Sequence, residues 1–303
     1  MTDRTSPPRS TGNKQGGGAR RRGGTGRSGA QPPGGRGRGP RRGGGSKQPS
    51  GRARPTTPAT ADSPDWLYGV HAVRAALHNP ARRLLRLLAT ENAHDSIAEP
   101  AHSRGLHIET VPARDIDRLF PPGTVHQGLA LRVTPLAEPV LADIVQRAAE
   151  DGLEKPLIVL DQVTDPHNVG AVLRSAAVFG ARAVIVTRRH APPITGALAK
   201  AASGAVEQMP LVQVPNVAQA IAVLQAEGWF AVGLDGAASR ALGATDLTGK
   251  IALVMGAEGS GLRRLTAERC DALAKIAGDI GFASLNVSNA AAVALYEISR
   301  QRS

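Results

Sequence analysis

Apolar residues recur with two different periods in residues 66–133, the first part of the chain that carries large apolar side chains. An apolar residue at every third or fourth position is typical of a helix, and a short alternating run is typical of a strand. We therefore predict a small α/β domain here. The predicted helices span 70–77, 92–104 and 113–120, and the predicted strands span 84–89, 107–111 and 128–133.

From residue 156 to the end, short uninterrupted apolar runs are separated by helical stretches. Such runs are typical of parallel strands that are buried on both faces, so we predict a parallel α/β sheet followed by a long helix over 285–300. We expect residues 136–155, with a helix-like stretch at 141–149, to connect the two domains. The predicted strands span 157–160, 183–187, 211–214, 230–234, 251–255 and 274–277.

Residues 1–63 differ from the rest of the chain in composition. They contain 14 Lys and Arg, 2 Asp, 16 Gly and 8 Pro, and no Leu, Ile, Val, Phe, Trp or Tyr. Without apolar surface to bury, such a segment cannot offset its ordering entropy, so we predict a disordered basic arm. Its net charge of +12 equals that of the whole chain, which leaves the remainder balanced. The Arg-Gly clusters favour contact with a nucleic-acid backbone, and a solubilising tail fits the composition equally well.

Composition also excludes several classes of protein. The single cysteine, Cys270, excludes a disulfide framework and a multi-cysteine metal site. No apolar run approaches the roughly 18 residues of a membrane span, and residues 1–63 lack the apolar stretch of a secretory signal. We therefore expect a cytoplasmic protein with no metal and no membrane anchor.

Ligands of parallel sheets bind outside the carboxyl ends of the strands, so the loops after the predicted strands are candidate sites. The loop after 157–160 leads into a helix, for which we predict Asn168 as the N-cap. Arg174 falls off the apolar stripe of that helix, within reach of the loop. Taken alone, this pattern is also typical of an ordinary capped helix with one solvated arginine.

A second unusual loop, 256–262, follows the predicted strand 251–255 and places three glycines around Glu258. Glycines let a backbone turn sharply and approach a ligand, and a carboxylate accepts hydrogen bonds. The spacing matches neither the G-x-G-x-x-G of dinucleotide-binding dehydrogenases nor a phosphate-binding P-loop. An ordinary turn with a solvated Glu258 is the simpler alternative.

The third loop places Ser284, Asn286, Ser288 and Asn289 at the start of the terminal helix. Helix capping explains Ser284. It explains Asn286 and Asn289 less well, because we expect these two residues inside an apolar helical run.

Together, the types, order and spacing of these loops resemble the three motifs of the SpoU (TrmH) family of SPOUT methyltransferases. The resemblance covers residues 156–303. Residues 66–133 are similar to the L30e-like substrate-binding domain that often precedes such a catalytic domain. The matching residues are Asn168, Gly170 and Arg174 in the first motif, Gly256, Glu258 and Gly261 in the second, and Ser284, Leu285 and Asn286 in the third.

This resemblance implies an S-adenosylmethionine-dependent RNA ribose 2′-O-methyltransferase, a homodimer whose carboxy-terminal segment forms a deep trefoil knot. It implies that backbone groups of Gly256, Ile276 and Leu285 hold the cofactor. The domain combination favours the branch that methylates a guanosine in 23S rRNA. A tRNA guanosine methyltransferase, and a non-catalytic RNA-binding or ribosome-assembly factor on the same scaffold, are the alternatives.

In this family the arginine of the first motif, here Arg174, is given the role of activating the 2′-hydroxyl. A guanidinium stays protonated near neutral pH, so we expect Arg174 to clamp a phosphate and to stabilise negative charge on the ribose oxygen. The resemblance implies that Asn168, Glu258, Ser284 and Asn286 hold Arg174 and the ribose in position.

The sequence departs from the family pattern at two places. Residues Ala277-Gly278 stand where Pro-Met is common, and Asn289 stands where an apolar residue is common. Neither departure removes a residue assigned to catalysis. We expect retained activity, with cofactor affinity as the property these changes affect.

Overall fold

A computed structural model describes residues 66–278 and 285–303. The predicted basic arm, residues 1–63, and Ser284 lie outside these residues. Within the described residues the strands form two sheets, one of four strands and one of six. The α/β class and the parallel sheet predicted from the apolar pattern are confirmed.

The smaller sheet is built from residues 66–133. Its elements are β1 (Trp66–Tyr68), α1 (Val70–His78), β2 (Leu84–Ala89), α2 (Glu91–His94), α3 (Ala98–Ser103), β3 (Ile108–Thr110), α4 (Ala113–Asp117) and β4 (Leu129–Val133). The strands lie in the order β1-β4-β2-β3, with β4 antiparallel to β1 and β2, and with β2 parallel to β3.

One helix of this unit differs from its prediction. In place of a single helix over 92–104, the structure has α2 and α3, separated by a turn. Pro100 explains the break, because its ring would clash with the carbonyl four residues earlier in a continuous helix and it has no N–H to donate. A proline is tolerated in the first turn of a helix, and Pro100 occupies that part of α3.

The larger unit is an all-parallel sheet in the order β10-β8-β9-β5-β6-β7. Short 3-10 turns follow α7 and β8. The elements are α5 (Leu141–Asp151), β5 (Leu157–Asp161), α6 (Pro166–Val178), β6 (Ala183–Thr187), α7 (Gly196–Ala201), β7 (Leu211–Val214), α8 (Val217–Ala226), β8 (Phe230–Leu234), β9 (Ile251–Gly256), α9 (Arg264–Arg269), β10 (Ala272–Ala274) and α10 (Val287–Arg302).

The last strand was predicted over 274–277 and instead spans Ala272–Ala274. After Ala274 the backbone leaves β8 for another partner. The N–H of Lys275 donates to the carbonyl of Arg240 at 2.9 Å, and the carbonyl of Lys275 accepts from the N–H of Leu242 at 2.7 Å. The apolar residues of 274–277 therefore do not form one strand: Ala274 ends β10, Ile276 is half-buried beyond it, and Ala277 is exposed.

The centre of the large sheet is a topological switch point. From β5 the chain proceeds outward to β6 and β7 on one side, whereas β9, β8 and β10 lie on the other side. Crevices that bind ligands lie outside the carboxyl ends of the strands at such a point. The loops that follow β5 and β9 are therefore the first place to look for a site.

Helices cover both faces of the large sheet. On one face, Ile144 and Ala148 of α5 are buried in the same cluster as Leu157. On the other face, the apolar cluster that includes Leu173 of α6 continues without a break into the smaller unit, where it includes Leu67. The two sheets therefore share one core.

A buried ion pair and a close backbone approach join the smaller unit to the larger one. The guanidinium of Arg82 lies 2.6 Å from Glu207, and both side chains are only 3% exposed. Asn79 donates to the same carboxylate at 2.7 Å, so the buried negative charge of Glu207 has both an ion-pair partner and a hydrogen-bond donor. A Cβ at Gly196 would lie 2.4 Å from the ring of Tyr68, which means that only glycine allows α7 this close to β1.

Candidate active site

Helix α6 begins in a way the sequence pattern did not predict. Asp165 is the N-cap, and its carboxylate accepts a hydrogen bond from the N–H of His167 at 3.0 Å. Pro166 fills the first helical position, where its fixed φ and missing N–H cost nothing. The prediction of Asn168 as the N-cap is therefore wrong. Because Asp165 caps the helix, the amide of Asn168 is available for contacts with other loops.

The loop after β9 folds back on itself, and this geometry requires Gly256. A Cβ at that position would lie 2.0 Å from the carbonyl carbon of Gly261. The fold-back is closed by the N–H of Gly261, which donates to the carbonyl of Ala257 at 2.9 Å. Glu258 lies at the tip of this turn and is exposed. The glycines thus serve to present Glu258 at the carboxyl edge of the sheet.

Asp161 was not singled out in the sequence, yet it anchors this loop. It is 1% exposed at the carboxyl end of β5, and its carboxylate accepts from the Nε of Arg263 at 2.8 Å and from the N–H of Arg263 at 3.2 Å. A charged residue that ends an otherwise apolar strand was the available signal, since a buried carboxylate needs a partner. The contact ties the loop after β9 to the end of β5.

The terminal helix α10 begins at Val287, with Asn286 as its N-cap. The amide oxygen of Asn286 accepts from the N–H of Ser288 at 2.9 Å and from the N–H of Asn289 at 3.4 Å. The expectation that Asn286 lies inside the helix is therefore wrong. Its oxygen satisfies the orphan N–H groups of the first turn, which leaves the NH₂ group free to donate elsewhere.

Asn168, Glu258 and Asn286 meet in a hydrogen-bonded group that we call the amide–carboxylate cluster. Oε1 of Glu258 accepts from Nδ2 of Asn168 at 3.1 Å, from the N–H of Val287 at 3.2 Å, and from Nδ2 of Asn286. Nδ2 of Asn286 also reaches Oδ1 of Asn168 at 2.9 Å. One residue from each of the three sequence motifs is thus present in one cluster, at the switch point of the sheet.

Arg174 stands apart from this cluster. Six residues separate it from Asn168 on α6, which corresponds to about 9 Å along the helix axis and a different side of the helix. Its side chain is exposed, and Nη1 lies 3.4 Å from the hydroxyl of Ser203. Within the described residues, no hydrogen bond joins Arg174 to the cluster. Ser203, which has a φ of +49°, was not among the predicted site residues.

The residues expected to hold a cofactor border the same edge of the sheet. Gly256 ends β9, Ile276 follows β10, and Leu285 directly precedes Asn286. Across the described ranges, the backbone groups of Ile276 and Leu285 make no hydrogen bond, and the side chain of Leu285 is 50% exposed. Free backbone donors and acceptors beside an apolar side chain suit a ligand with both polar edges and an apolar ring, so these residues fit S-adenosylmethionine.

Two other kinds of chemistry have no support at this site. In the described part of the chain, no group of three or more His, Cys, Asp or Glu side chains is arranged to hold a metal ion. Burial, with smaller contributions from Asp271 and Asp161, raises the pKa of the Cys270 thiol to about 12, so this thiol stays protonated at neutral pH and is a poor nucleophile. Among the described helices, none has the length and apolar character needed to cross a membrane.

Comparison with known proteins gives the family. Residues 155–296 match the model of the SpoU rRNA Methylase family, and residues 66–139 match the model for RNA 2'-O ribose methyltransferase substrate binding. The 23S rRNA (guanosine-2'-O-)-methyltransferase RlmB of Pasteurella multocida is 42% identical over 241 residues, which cover 78% of this chain and 98% of that protein. The chain belongs to the SpoU rRNA methylase family. The enzyme of the same name from Escherichia coli is 39% identical and is covered over 99% of its length.

Solved structures of SpoU-family proteins share the fold. The SpoU methyltransferase AviRb from Streptomyces viridochromogenes, crystallised with the cofactor AdoMet, superposes with a TM-score of 0.64 at 23% identity, over 78% of this chain and 89% of AviRb. A putative RNA methyltransferase of the TrmH family from Porphyromonas gingivalis has a TM-score of 0.62 at 25% identity, with the same coverage. The α/β fold with its parallel sheet is therefore that of SpoU methyltransferases.

Proposed function

We propose that this protein transfers a methyl group from S-adenosylmethionine to the ribose 2′-hydroxyl of a guanosine in 23S rRNA. The observation that carries the proposal is the amide–carboxylate cluster, which brings one residue of each SpoU motif to the switch point of the sheet. The RNA and the nucleotide come from the names of relatives that are about 40% identical over nearly their whole length.

Arg174 is the proposed catalytic residue. As the 2′-oxygen forms its bond to the methyl carbon, the carbon–sulfur bond of the donor would break and the hydroxyl proton would pass to solvent water, so negative charge develops on that oxygen during the step. A guanidinium is a poor base because it stays protonated, but it donates charge-assisted hydrogen bonds to an oxyanion or a phosphate. Arg174 is exposed, and among the described residues its side chain has only the 3.4 Å contact with Ser203, so it can turn toward the RNA when the substrate arrives.

The amide–carboxylate cluster is proposed to position the reacting groups and not to exchange protons. Oε1 of Glu258 already accepts three hydrogen bonds, from Asn168, Asn286 and Val287, which makes it a structural acceptor. These contacts fix the loop after β9 against the start of α10. Ser284, which lies outside the described residues, is proposed to complete the group through the third motif.

The cofactor is proposed to lie beside this cluster, held by backbone groups of Gly256, Ile276 and Leu285. When bound, S-adenosylmethionine supplies a methyl group on a positively charged sulfur. The protein's own part is to present backbone hydrogen-bonding groups and the half-exposed side chain of Leu285. Ala277 and Gly278, both exposed, border this place, so the departure from the family pattern is proposed to tune cofactor affinity.

Several finer features belong to the same proposal. We propose a deep trefoil knot in the carboxy-terminal segment, supported by the position of β10 at the edge of the sheet and by the packing of α10 on α6 and β9. Residues 64–135 are proposed to form an L30e-like RNA-binding domain, 136–155 a linker, 156–303 the catalytic domain and 1–63 a disordered arm. A cytoplasmic location is proposed from the ribosomal substrate of the relatives.

A homodimer is proposed, with α10 at its interface. Val293 is 42% exposed and Tyr296 is 58% exposed, and their spacing places both on one side of the helix. Light scattering of the purified protein tests this point. We expect the mass of a dimer, and we expect Tyr296→Glu to shift the protein toward a monomer. A monomeric wild-type protein would contradict the proposal.

Mapping of ribose methylation tests the function directly. Ribosomal and transfer RNA are compared from cells with the protein, without it, and with Arg174→Ala in its place. We expect one guanosine of 23S rRNA to lose its methyl group in the last two. Arg147, an exposed arginine on α5 that belongs to none of the three motifs, provides the control: cells with Arg147→Ala should keep the methyl group. An unchanged methylation map in cells without the protein would contradict the proposed activity. Loss of a methyl group from a tRNA would identify tRNA as the substrate.

A further inference from the structure

A second feature of the sheet edge lies beside the proposed active site. The loop after β6 carries Arg189 and His190, both exposed, and it borders the loop after β5. Between the two loops is a hollow of about 370 Å³, which we call the Arg189 hollow. Its lining includes Thr164 and Pro166 from the β5 side, Arg189 and His190 from the β6 side, and the buried Thr195.

The charge in this hollow is one-sided. None of the described residues that line it is an Asp or a Glu. The adjacent carboxylate of Asp165 accepts the N–H of His167 as the cap of α6 and does not pair with Arg189. Within 66–278 and 285–303, no hydrogen bond or ion pair engages the guanidinium of Arg189. An unpaired guanidinium beside an imidazole, which offers at least one N–H donor, is suited to an anion with several oxygens.

The position of the hollow indicates which anion it receives. Pro166 lines the hollow and lies only two residues before Asn168, about 3 Å along the axis of α6. The hollow therefore lies close enough to the amide–carboxylate cluster to receive the backbone of an RNA whose ribose is placed at the cluster. Apart from the predicted arm, the chain carries equal numbers of basic and acidic residues, so a one-sided local charge here is not the result of a generally basic surface.

We propose that the Arg189 hollow binds a backbone phosphate of the RNA substrate next to the nucleotide that is methylated. The inference rests on the proposed function for the identity of the RNA. Arg189 is the principal contact, because its positive charge pairs with a phosphate and its N–H groups donate charge-assisted hydrogen bonds to phosphate oxygens. His190 is a secondary donor.

The test is the salt dependence of RNA binding by the full-length protein. Each phosphate contact that a cation makes releases counterions, so the loss of one contact lowers the slope of log K against log salt by about 0.7–0.9. Filter binding of transcribed 23S rRNA is measured at several KCl concentrations for the wild type, Arg189→Ala and Arg189→Lys. Arg147→Ala is the matched control, because it removes an exposed arginine from α5.

We expect Arg189→Ala alone to reduce the slope by that amount, with Arg189→Lys and Arg147→Ala close to the wild type. An unchanged slope for Arg189→Ala overturns the proposal, as does an equal reduction for Arg147→Ala or a full loss for Arg189→Lys. Thermal melts verify that each variant is folded. Binding is measured without methyl transfer. A failed activity assay on the wild-type protein would therefore count against the proposed function, and the comparison of salt slopes would still test the phosphate contact.

Discussion

Helix α6 carries two proposed active-site residues in contrasting surroundings. Near its start, Asn168 belongs to a cluster in which Glu258 Oε1 accepts three hydrogen bonds. Further along, Arg174 is exposed, and within the part of the chain that the structure describes its side chain has one hydrogen-bond contact, at 3.4 Å to the hydroxyl of Ser203. The protein thus holds the residues that shape the site, Asn168 and Glu258, in a hydrogen-bonded group. It leaves Arg174, the charged residue proposed to meet the substrate, free to adjust.

The partner of Arg174 is itself firmly anchored. Ser203 lies just before the 3-10 turn Ala205–Glu207, and Glu207 forms the buried ion pair with Arg82 of the smaller unit. The exposed Arg174 therefore contacts a segment that is fixed by the junction between the two units. Four predictions test this contrast, and the variant with the greatest expected change is given first.

The anchor itself is the first target. Glu207→Ala leaves the guanidinium of Arg82 buried without its partner, and we expect the free energy of unfolding to fall by about 3–5 kcal/mol. Urea denaturation measures this loss. The control is Glu268→Ala, which breaks an exposed i,i+4 pair with Arg264 and should cost under about 1 kcal/mol. Equal losses for the two variants would show that the junction is not an anchor.

Arg174→Ala should separate activity from stability. Removal of one group that stabilises developing charge typically lowers a rate by about 10²–10³-fold, and we expect a loss of that size in single-turnover methyl transfer. Because Arg174 is exposed, the free energy of unfolding should change by no more than about 0.5 kcal/mol. Arg147→Ala should alter neither quantity. A rate within a few-fold of the wild type would remove Arg174 from the catalytic assignment.

The cluster can be tested with two matched helix caps. Asn286 caps α10, and Asn216 caps α8 by the same contacts with two backbone N–H groups. Substitution of either by Ala should reduce the free energy of unfolding by about 1 kcal/mol. Only Asn286→Ala should also lower the methyl-transfer rate, because Asn286 additionally donates to Glu258 and Asn168. A similar rate for both variants would mean that Asn286 serves as a cap alone.

Ser203 should give the smallest effect. Ser203→Gly removes the hydroxyl that contacts Arg174, and we expect the methyl-transfer rate to fall about 2- to 10-fold, the equivalent of one ordinary hydrogen bond. Because φ is +49° at this position, glycine should also raise the free energy of unfolding slightly, by about 0.5 kcal/mol. Ser203→Ala should show the same rate and a lower stability. If both variants keep the wild-type rate, the contact has no catalytic importance.

Most strands were predictable because a buried parallel strand must be apolar along its whole length. The strands at 183–187, 211–214 and 230–234 have the predicted bounds. The edge strand at 272–274 was misplaced, because the apolar run continues to Ala277 while the backbone of Lys275 already pairs with a different segment. An apolar run therefore does not show which of its residues form the hydrogen bonds to a neighbouring strand.

The candidate site was predictable as three loops but not as one structure. The sequence placed Asn168, Glu258 and Asn286 after strands or at a helix start, where carboxyl-edge loops gather. It gave both asparagines the wrong helix positions, because Asp165 is the cap of α6 and Asn286 is the cap of α10. Asp161, Ser203 and the Arg82–Glu207 pair escaped notice because their importance depends on residues far away in the chain.

Local periodicity and residue type were enough to predict the α/β class, the apolar strands of the parallel sheet and the three loops that carry chemistry. The tertiary structure was needed to show that Glu258 accepts hydrogen bonds from Asn168 and Asn286, and that Arg174 instead contacts the hydroxyl of Ser203. Hydrogen bonds between loops about 30 to 120 residues apart depend on strand order, and strand order is set by the packing of the whole sheet.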